Sequence, residues 1–342
     1  MAMTKLPNAS AVPERRDMSR RAASPRAQTP PPMVQERERQ EPPDRLTSGE
    51  VPRVSIGMPV YNGENFLREA CDSILAQTFT DFELLISDNG STDATEAICR
   101  EYAARDPRVR YHRTATNRGG AWNHSRVFAL ASGEYFMWHH HDDRSAPELL
   151  ERCVAILDAH TEVINCHANT TIIDAYGTPI YRYVEHADLR SASAYDRLRR
   201  YVRHDRDCPL CSLYFGLMRR EVLGKTRLIE PYVNAELSLM SELALRGHFY
   251  ELPEHLFDRR DHPGISTRRY TTAKAMMAWA NPKSKGGWDG WHVLAARLRA
   301  VTIVPMGPYD RLRCYLYTLE LFTHLARGSV RDWWGGLTHR RA

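Results

Sequence analysis

Two carboxylates stand side by side at Asp142 and Asp143, directly after the run Trp138-His139-His140-His141. Adjacent carboxylates at the end of a β-type segment are hard oxygen ligands, suited to a magnesium or manganese ion that bridges a diphosphate. The imidazoles before them add nitrogen donors, which manganese accepts more readily than magnesium does. A plainer reading has Asp143 capping the helix that begins near Pro147 and Asp142 merely solvated. A second polar cluster runs Asp88-Asn89-Gly90-Ser91-Thr92-Asp93. Its first Asp can accept from a base N–H, and the turn amides can face ribose or phosphate. Taken alone, this cluster is ordinary turn chemistry.

The elements around these clusters place them. Val54 to Val60 is a short β-type run closed by Pro59 and followed by the turn Tyr61-Asn62-Gly63. Phe66, Leu67, Ala70, Cys71, Ile74 and Leu75 then recur at helical spacing. Phe82 to Ser87 reads as a second strand, and Glu96 supplies a first-turn carboxylate to the helix after it. A third strand (109–113), a helix (about 120–132) and a fourth strand (134–140) continue the series. Such alternation implies an α/β fold, a mostly parallel sheet flanked by helices. Ligands in these sheets bind beyond the carboxyl ends of the strands. The clusters 61–64, 88–93 and 139–143 all fall at such ends, so they should converge on one cleft. Strand alternation turns His139 or His141 away from it. Further on, the pattern gives a helix at 148–160, β-rich sequence to about 183 and a helix near 195–204. A strand near 211–218, a helix at 235–246 and a strand at 249–257 follow, and the chain is mainly helical beyond 270.

Taken together, Val54 through Leu149 resembles the donor-binding half of glycosyltransferase family 2, which has the GT-A (Rossmann-like) fold. The matching pieces are Met58-Pro59-Val60-Tyr61-Asn62, Ser73-Ile74-Leu75-Ala76-Gln77-Thr78, Leu84 through Asp93, Asn117-Arg118-Gly119, and Gly133-Glu134-Tyr135-Phe136 leading into the acidic pair. The resemblance implies an inverting transferase that uses a nucleoside-diphosphate sugar. It implies that Pro59, Tyr61 and Glu64 line the nucleotide pocket and that Asp88 holds the base, usually uracil. Asp93, Asn117 and Gly119 would shape the nucleotide and sugar pocket. The family's metal motif is Asp-x-Asp; here its first position is His140 and its second Asp142. The ion would be manganese or magnesium, held by Asp142, His140 and His262.

In the second half, Asn234-Ala235-Glu236-Leu237 opens a helix like the one that carries the family's catalytic base. Glu236 takes the base position, and Ala235 replaces the other acidic residue usual there. By itself a first-turn Glu is a partner of the helix dipole. Glu242, farther along, is the weaker rival. Arg259-Arg260-Asp261-His262 resembles the family loop that meets the metal or the diphosphate. His140 and Ala235 keep a second reading open, a catalytically inactive nucleotide-sugar-binding or scaffold protein. A metal-dependent nucleotidyltransferase is a third, ill suited to the Pro59-Val60-Tyr61-Asn62 entry.

Composition limits the rest. The chain has 342 residues, 42% of them hydrophobic and 26% charged, with a formal net charge of +5. That charge suits a polyanionic ligand but calls for no nucleic acid. Residues 1–50 hold 8 of the 20 prolines and no aromatic residue, and read as a disordered tail. Seven cysteines fit reduced core positions in a cytosol, with Cys208-Pro209-Leu210-Cys211 the one close pair. No stretch suits a membrane span. The expected layout is therefore a tail, a glycosyltransferase domain at 51–265 (donor half 51–145, acceptor half 146–265) and a helical extension at 266–342. Near 309–328, Leu312, Tyr315, Leu316, Leu319 and Phe322 share a helix face, with Trp333-Trp334 beyond. Such a face packs on its own domain or rests on a membrane, bringing a cytoplasmic enzyme to a glycan or lipid-linked acceptor at the inner face of the plasma membrane.

Overall fold

Val54–Val60 (β1) is buried at every position, as a strand covered on both faces of a parallel sheet must be. The computed structural model describes residues 51–184, 188–207, 212–282 and 290–338. The tail at 1–50, the Cys208–Cys211 pair and Trp288 lie outside the described residues, as do the side chains of Trp333 and Trp334.

After β1 come Leu67–Leu75 (α1), Phe82–Asp88 (β2), Thr95–Arg105 (α2), Val109–Arg113 (β3), Gly120–Ala129 (α3) and Tyr135–Trp138 (β4). Arg144–Ser145 (β5), Leu149–Ala159 (α4), Val163–Ile173 (β6), Pro179–Tyr183 (β7) and Ala194–Asp207 (α5) continue the chain. A 3-10 turn at Ser212–Phe215 leads into Leu217–Arg219 (β8), Arg220–Gly224 (α6), Ala235–Arg246 (α7) and His248–Arg260 (β9). Ser266–Arg269 (α8), Ala273–Ala280 (α9), Gly290–Ile303 (α10) and Pro308–Thr338 (α11) form the helical end.

One nine-stranded sheet runs β3-β2-β1-β4-β8-β6-β9-β5, with β7 beside β6. Its long ladders, β1 with β2, β1 with β4, β2 with β3 and β6 with β9, are parallel. The expected mostly parallel α/β fold is the one observed. β8 is the antiparallel splice between the two parallel groups, so the two halves share one sheet. Gly57, in the middle of β1, lets α3 lie close, since a Cβ there would stand 2.7 Å from Phe136 and 2.9 Å from Val127.

The stripe on α1 buries Leu67, Ala70, Cys71 and Ile74. The Gln77-Thr78 end of that segment is a fastener. The Gln77 amide donates to the Ala146 carbonyl at 2.7 Å and accepts from Leu150 N–H at 3.0 Å, and Thr78 N–H donates to the Pro147 carbonyl. These bonds fix the start of α4, and with it the acidic pair just upstream. Glu83 of β2 is wholly buried, yet its carboxylate accepts from Ser55, Ser132 and Arg110. A buried charge with that many partners is tolerated.

Two expectations shift. The strand near 211–218 is a 3-10 turn followed by the three-residue β8. The strand expected to end at 257 continues to Arg260, held there by Ile173 of β6.

Candidate active site at the carboxyl edge of the sheet

The turns after β1 and β2 are laced together. Asn62 adopts a left-handed backbone, φ 54°. Its N–H donates to Ser91 Oγ at 2.9 Å, and its side-chain oxygen accepts from Thr92 N–H at 2.8 Å. Gly63 N–H donates to Thr95 Oγ1. Glu64 N–H donates to Asp93, and the Glu64 carboxylate accepts from Ala94 N–H at 2.9 Å. Asp93 also accepts from Thr95 N–H and Oγ1, and although burial pushes its carboxyl up, these bonds hold it below the usual range. Glu64 and Asp93 thus satisfy the first amides of α2. Pro59 is buried at the end of β1 and Tyr61 is half-buried just beyond it.

Asp88 reaches this edge with its carboxylate already bonded. One oxygen accepts from Ser91 N–H at 2.8 Å; the other accepts from Tyr111 Oη at 2.8 Å and Arg113 Nε at 3.1 Å. The side chain is fully buried. These bonds fix the orientation of the carboxylate, and Oδ1, with a single donor, keeps acceptor capacity toward the pocket. Its neighbour Asn89, which the sequence did not single out, clamps the third loop. Its amide donates to Asn117 Oδ1 at 3.0 Å and the Gly119 carbonyl at 3.1 Å, and its oxygen accepts from Arg118 N–H. Gly119 has φ +97°, and a Cβ there would sit 2.6 Å from Pro282 and 2.7 Å from the Ala280 carbonyl. The end of α9 therefore lies against the mouth of the third loop.

The metal corner forms where β4 ends. His140, Asp142 and Asp143 each bring a ligand atom within 4.8 Å of one another. Ligand atoms on a single ion lie about 3 to 4 Å apart, given bonds near 2 Å. His140 Nδ1 is 3.9 Å from Asp143 Oδ2. This nitrogen-plus-carboxylate donor set fits a divalent ion of the manganese kind. Asp143 does not cap α4; it accepts from Arg260 N–H at 2.9 Å. Burial, then the neighbouring Asp142, raises the Asp143 carboxyl well above its ordinary value. Burial also pushes Asp142 up, but His141, the bond from His262 and His140 outweigh it, and Asp142 stays ionised.

His262 joins the cluster through Asp142. Gly264 N–H donates to its Nδ1 at 3.2 Å, so the ring proton sits on Nε2 and is given to Asp142 Oδ2 at 3.0 Å. Both nitrogens are engaged here, so His262 orients the Asp142 carboxylate, and direct ligation of an ion would exchange that bond. Arg260 is unavailable to a diphosphate. Its guanidinium is buried and bonds the Asp142, Asp174 and Ala175 carbonyls and the Glu69 carboxylate.

Of the other histidines, His139 faces inward. Its Nδ1 lies 2.8 Å from the His140 carbonyl and its Nε2 3.0 Å from Ser145 Oγ, and burial pushes it down to about 4. His124 of α3, which the sequence left unmarked, meets His140 with the two Nε2 atoms 3.1 Å apart. Burial pushes His124 down to about 4. His140 keeps a third of its side chain open, yet burial among the rings of Phe215, Tyr214 and His124 holds it well below its ordinary value.

Glu236 is half-buried in the first turn of α7, behind Asn234 in the left-handed conformation. The loop before it is tied to α3 through Ser125 Oγ, which donates to the Ile229 carbonyl at 3.0 Å. The rival Glu242 is buried and paired with Arg246 at 2.6 Å, a structural commitment.

Residues 55–227 match the family described as glycosyl transferase family 2. An uncharacterised glycosyltransferase of Rickettsia typhi is 32% identical over 203 residues, 59% of this chain and 57% of that protein. One from Haemophilus influenzae is 32% identical over 130 residues, 38% of this chain and 52% of its own. The chain thus spans little more than half the length of these relatives. Residues 1–349 of TarS from S. aureus, solved in complex with UDP, align with a TM-score of 0.55 at 16% identity, over 78% of this chain and 70% of that one. At that identity the likeness is one of fold, and it agrees with the expected GT-A architecture.

Proposed function

The chain belongs to glycosyltransferase family 2, and from that premise we propose that it transfers a sugar, with inversion, from a nucleoside-diphosphate sugar to an acceptor hydroxyl. The observation that carries this reading is the lacing of three loops (61–64, 88–95 and 117–119) beside the His140, Asp142 and Asp143 cluster, where a Cβ on Gly63 would stand 2.5 Å from His141. A UDP-linked donor is favoured by the family's usual uracil pocket and by the UDP bound to TarS.

In this reading Tyr61 offers its ring to the base beside Pro59. Asp88, Asn89 and Asn117 hold the pocket walls in register, with Gly119 keeping the backbone close. A bound divalent ion, manganese or magnesium, would supply positive charge to the leaving diphosphate. Asp142, His140 and Asp143 would hold the ion, and His262 keeps the Asp142 carboxylate aimed. Glu236 removes the proton from the acceptor oxygen as that oxygen attacks the anomeric carbon. The acceptor is a glycan or lipid-linked saccharide of envelope synthesis. The exposed Leu312, Leu316 and Leu319 support delivery to it at the inner membrane surface.

The test is release of nucleoside diphosphate from a panel of nucleotide sugars with added manganese. Glu236→Gln should lower transfer by about 100- to 10,000-fold with donor affinity by calorimetry unchanged. Native turnover in that variant removes Glu236 from the mechanism. Donor binding without any release by the native chain favours the inactive binding protein.

A further inference from the structure

We propose that His124 is a positioning residue that fixes the tautomer of His140, so that the chain presents an imidazole nitrogen to its divalent ion where the Asp-x-Asp motif presents a carboxylate. The inference rests on reading 138–143 as the metal corner of a donor site.

The proton positions follow from the partners. His124 Nδ1 lies 2.8 Å from the Gly120 carbonyl, which can only accept, so that nitrogen carries hydrogen. A neutral ring then has its lone pair on Nε2. His140 Nε2, 3.1 Å away, must bring the proton to that contact. What remains on His140 is a lone pair at Nδ1, the atom 3.9 Å from Asp143 Oδ2.

The fold holds the arrangement in place. Gly120 is one helical turn before His124 on α3, and Trp138 Nε1 donates to the His124 carbonyl at 3.1 Å, tying that turn to β4. The His140 ring stands edge-on to Phe215, with centroids 4.8 Å apart, and His124 lies 6.2 Å from the Tyr214 ring. Turning the His124 ring over would take Nδ1 from the Gly120 carbonyl and Nε2 from His140. A pair present only for packing would not leave a third of His140 open beside two carboxylates. A metal-binding histidine whose other nitrogen donates to a fixed acceptor is the arrangement that preorganises imidazole ligation. Here the acceptor is a second imidazole.

The test is pulsed EPR of Mn2+ bound to the full chain, with Mn2+ affinity measured alongside. The native protein should show nitrogen modulation from a coordinated imidazole, and His140→Asp should bind Mn2+ without it. His124→Phe should weaken Mn2+ by about 10- to 100-fold. His124→Gln, whose amide oxygen accepts from His140 Nε2–H, should recover most of that loss. In the His140→Asp background, His124→Phe should cost nothing further. Absence of nitrogen coupling in the native chain, or an equal His124→Phe effect in both backgrounds, overturns the proposal. A chain that binds nucleotide sugars but shows no such coupling loses this inference and keeps the glycosyl-transfer reading. One that binds neither Mn2+ nor any nucleotide sugar loses both.

Discussion

The places of His140 and Asp142 after a strand end and of Glu236 at a helix start are legible in the sequence because their motifs are local. Which of their atoms are free is not legible, because that depends on partners far along the chain. Asp88 is the case in point. Its type and position suggest a base reader, yet one of its oxygens is bonded by Tyr111 and Arg113, 23 and 25 residues away. His124 was missed for the same reason, since only the packing of α3 on β4 brings it to His140. Arg260 gives a test of this distinction. If it is a clamp, Arg260→Lys should lower the unfolding free energy in urea by about 2 to 3 kcal/mol, because a lysine cannot serve several carbonyls and Glu69 at once. Unchanged stability with a specific loss of nucleoside-diphosphate affinity would return Arg260 to the diphosphate.

At the scale of elements, the sequence pattern located β1, α1, β2, β3, α4, α7 and most of β9 closely. What it missed is short or depends on its neighbours. α6 spans five residues, β5 two and β8 three, too few for any period to show. The last turn of β9 exists because Ile173 pairs with Arg260 and Asp143 accepts its N–H, and neither is visible locally. Glu83 on β2 shows what such cross-chain partners do for stability. Burial pushes its carboxyl up, but Ser132, Ser55 and Arg110 outweigh it and hold it below its ordinary 4.5. A carboxyl depressed in the folded state contributes stability that is fully present above its unfolded value. That contribution fades as pH falls through 4.5 toward the folded value. Glu83→Gln should therefore destabilise the chain by about 3 kcal/mol at neutral pH, leaving Arg110 without its charge partner. It should also flatten the loss of stability below pH 4.5, read as urea midpoints across a pH series. A variant with the native acid limb would show that the depression of Glu83 plays no part in it.

For the whole molecule, the open question is what meets the helical end. No helix among the described residues is long and apolar enough to cross a membrane. The stripe on α11 is divided by its surroundings. Phe322 packs on Trp291, with ring centroids 4.5 Å apart, and Tyr315 bonds Thr302, whereas Leu312, Leu316 and Leu319 are 58%, 59% and 48% exposed. These three recur at i, i+4 and i+7, so they lie along one side of the helix. Each half-open leucine stands to gain about 1 to 2 kcal/mol on leaving water. Three together match a weak, reversible interfacial anchor and fall well short of a permanent one. Co-sedimentation of the full chain with anionic vesicles should therefore pellet it, and L312Q/L316Q/L319Q should leave it in the supernatant. The substituted side chains face solvent, so the thermal midpoint should stay unchanged. Equal pelleting of both proteins would remove the stripe from membrane binding. A triple variant that instead turns from dimer to monomer in light scattering without vesicles would assign the stripe to a second copy of the chain.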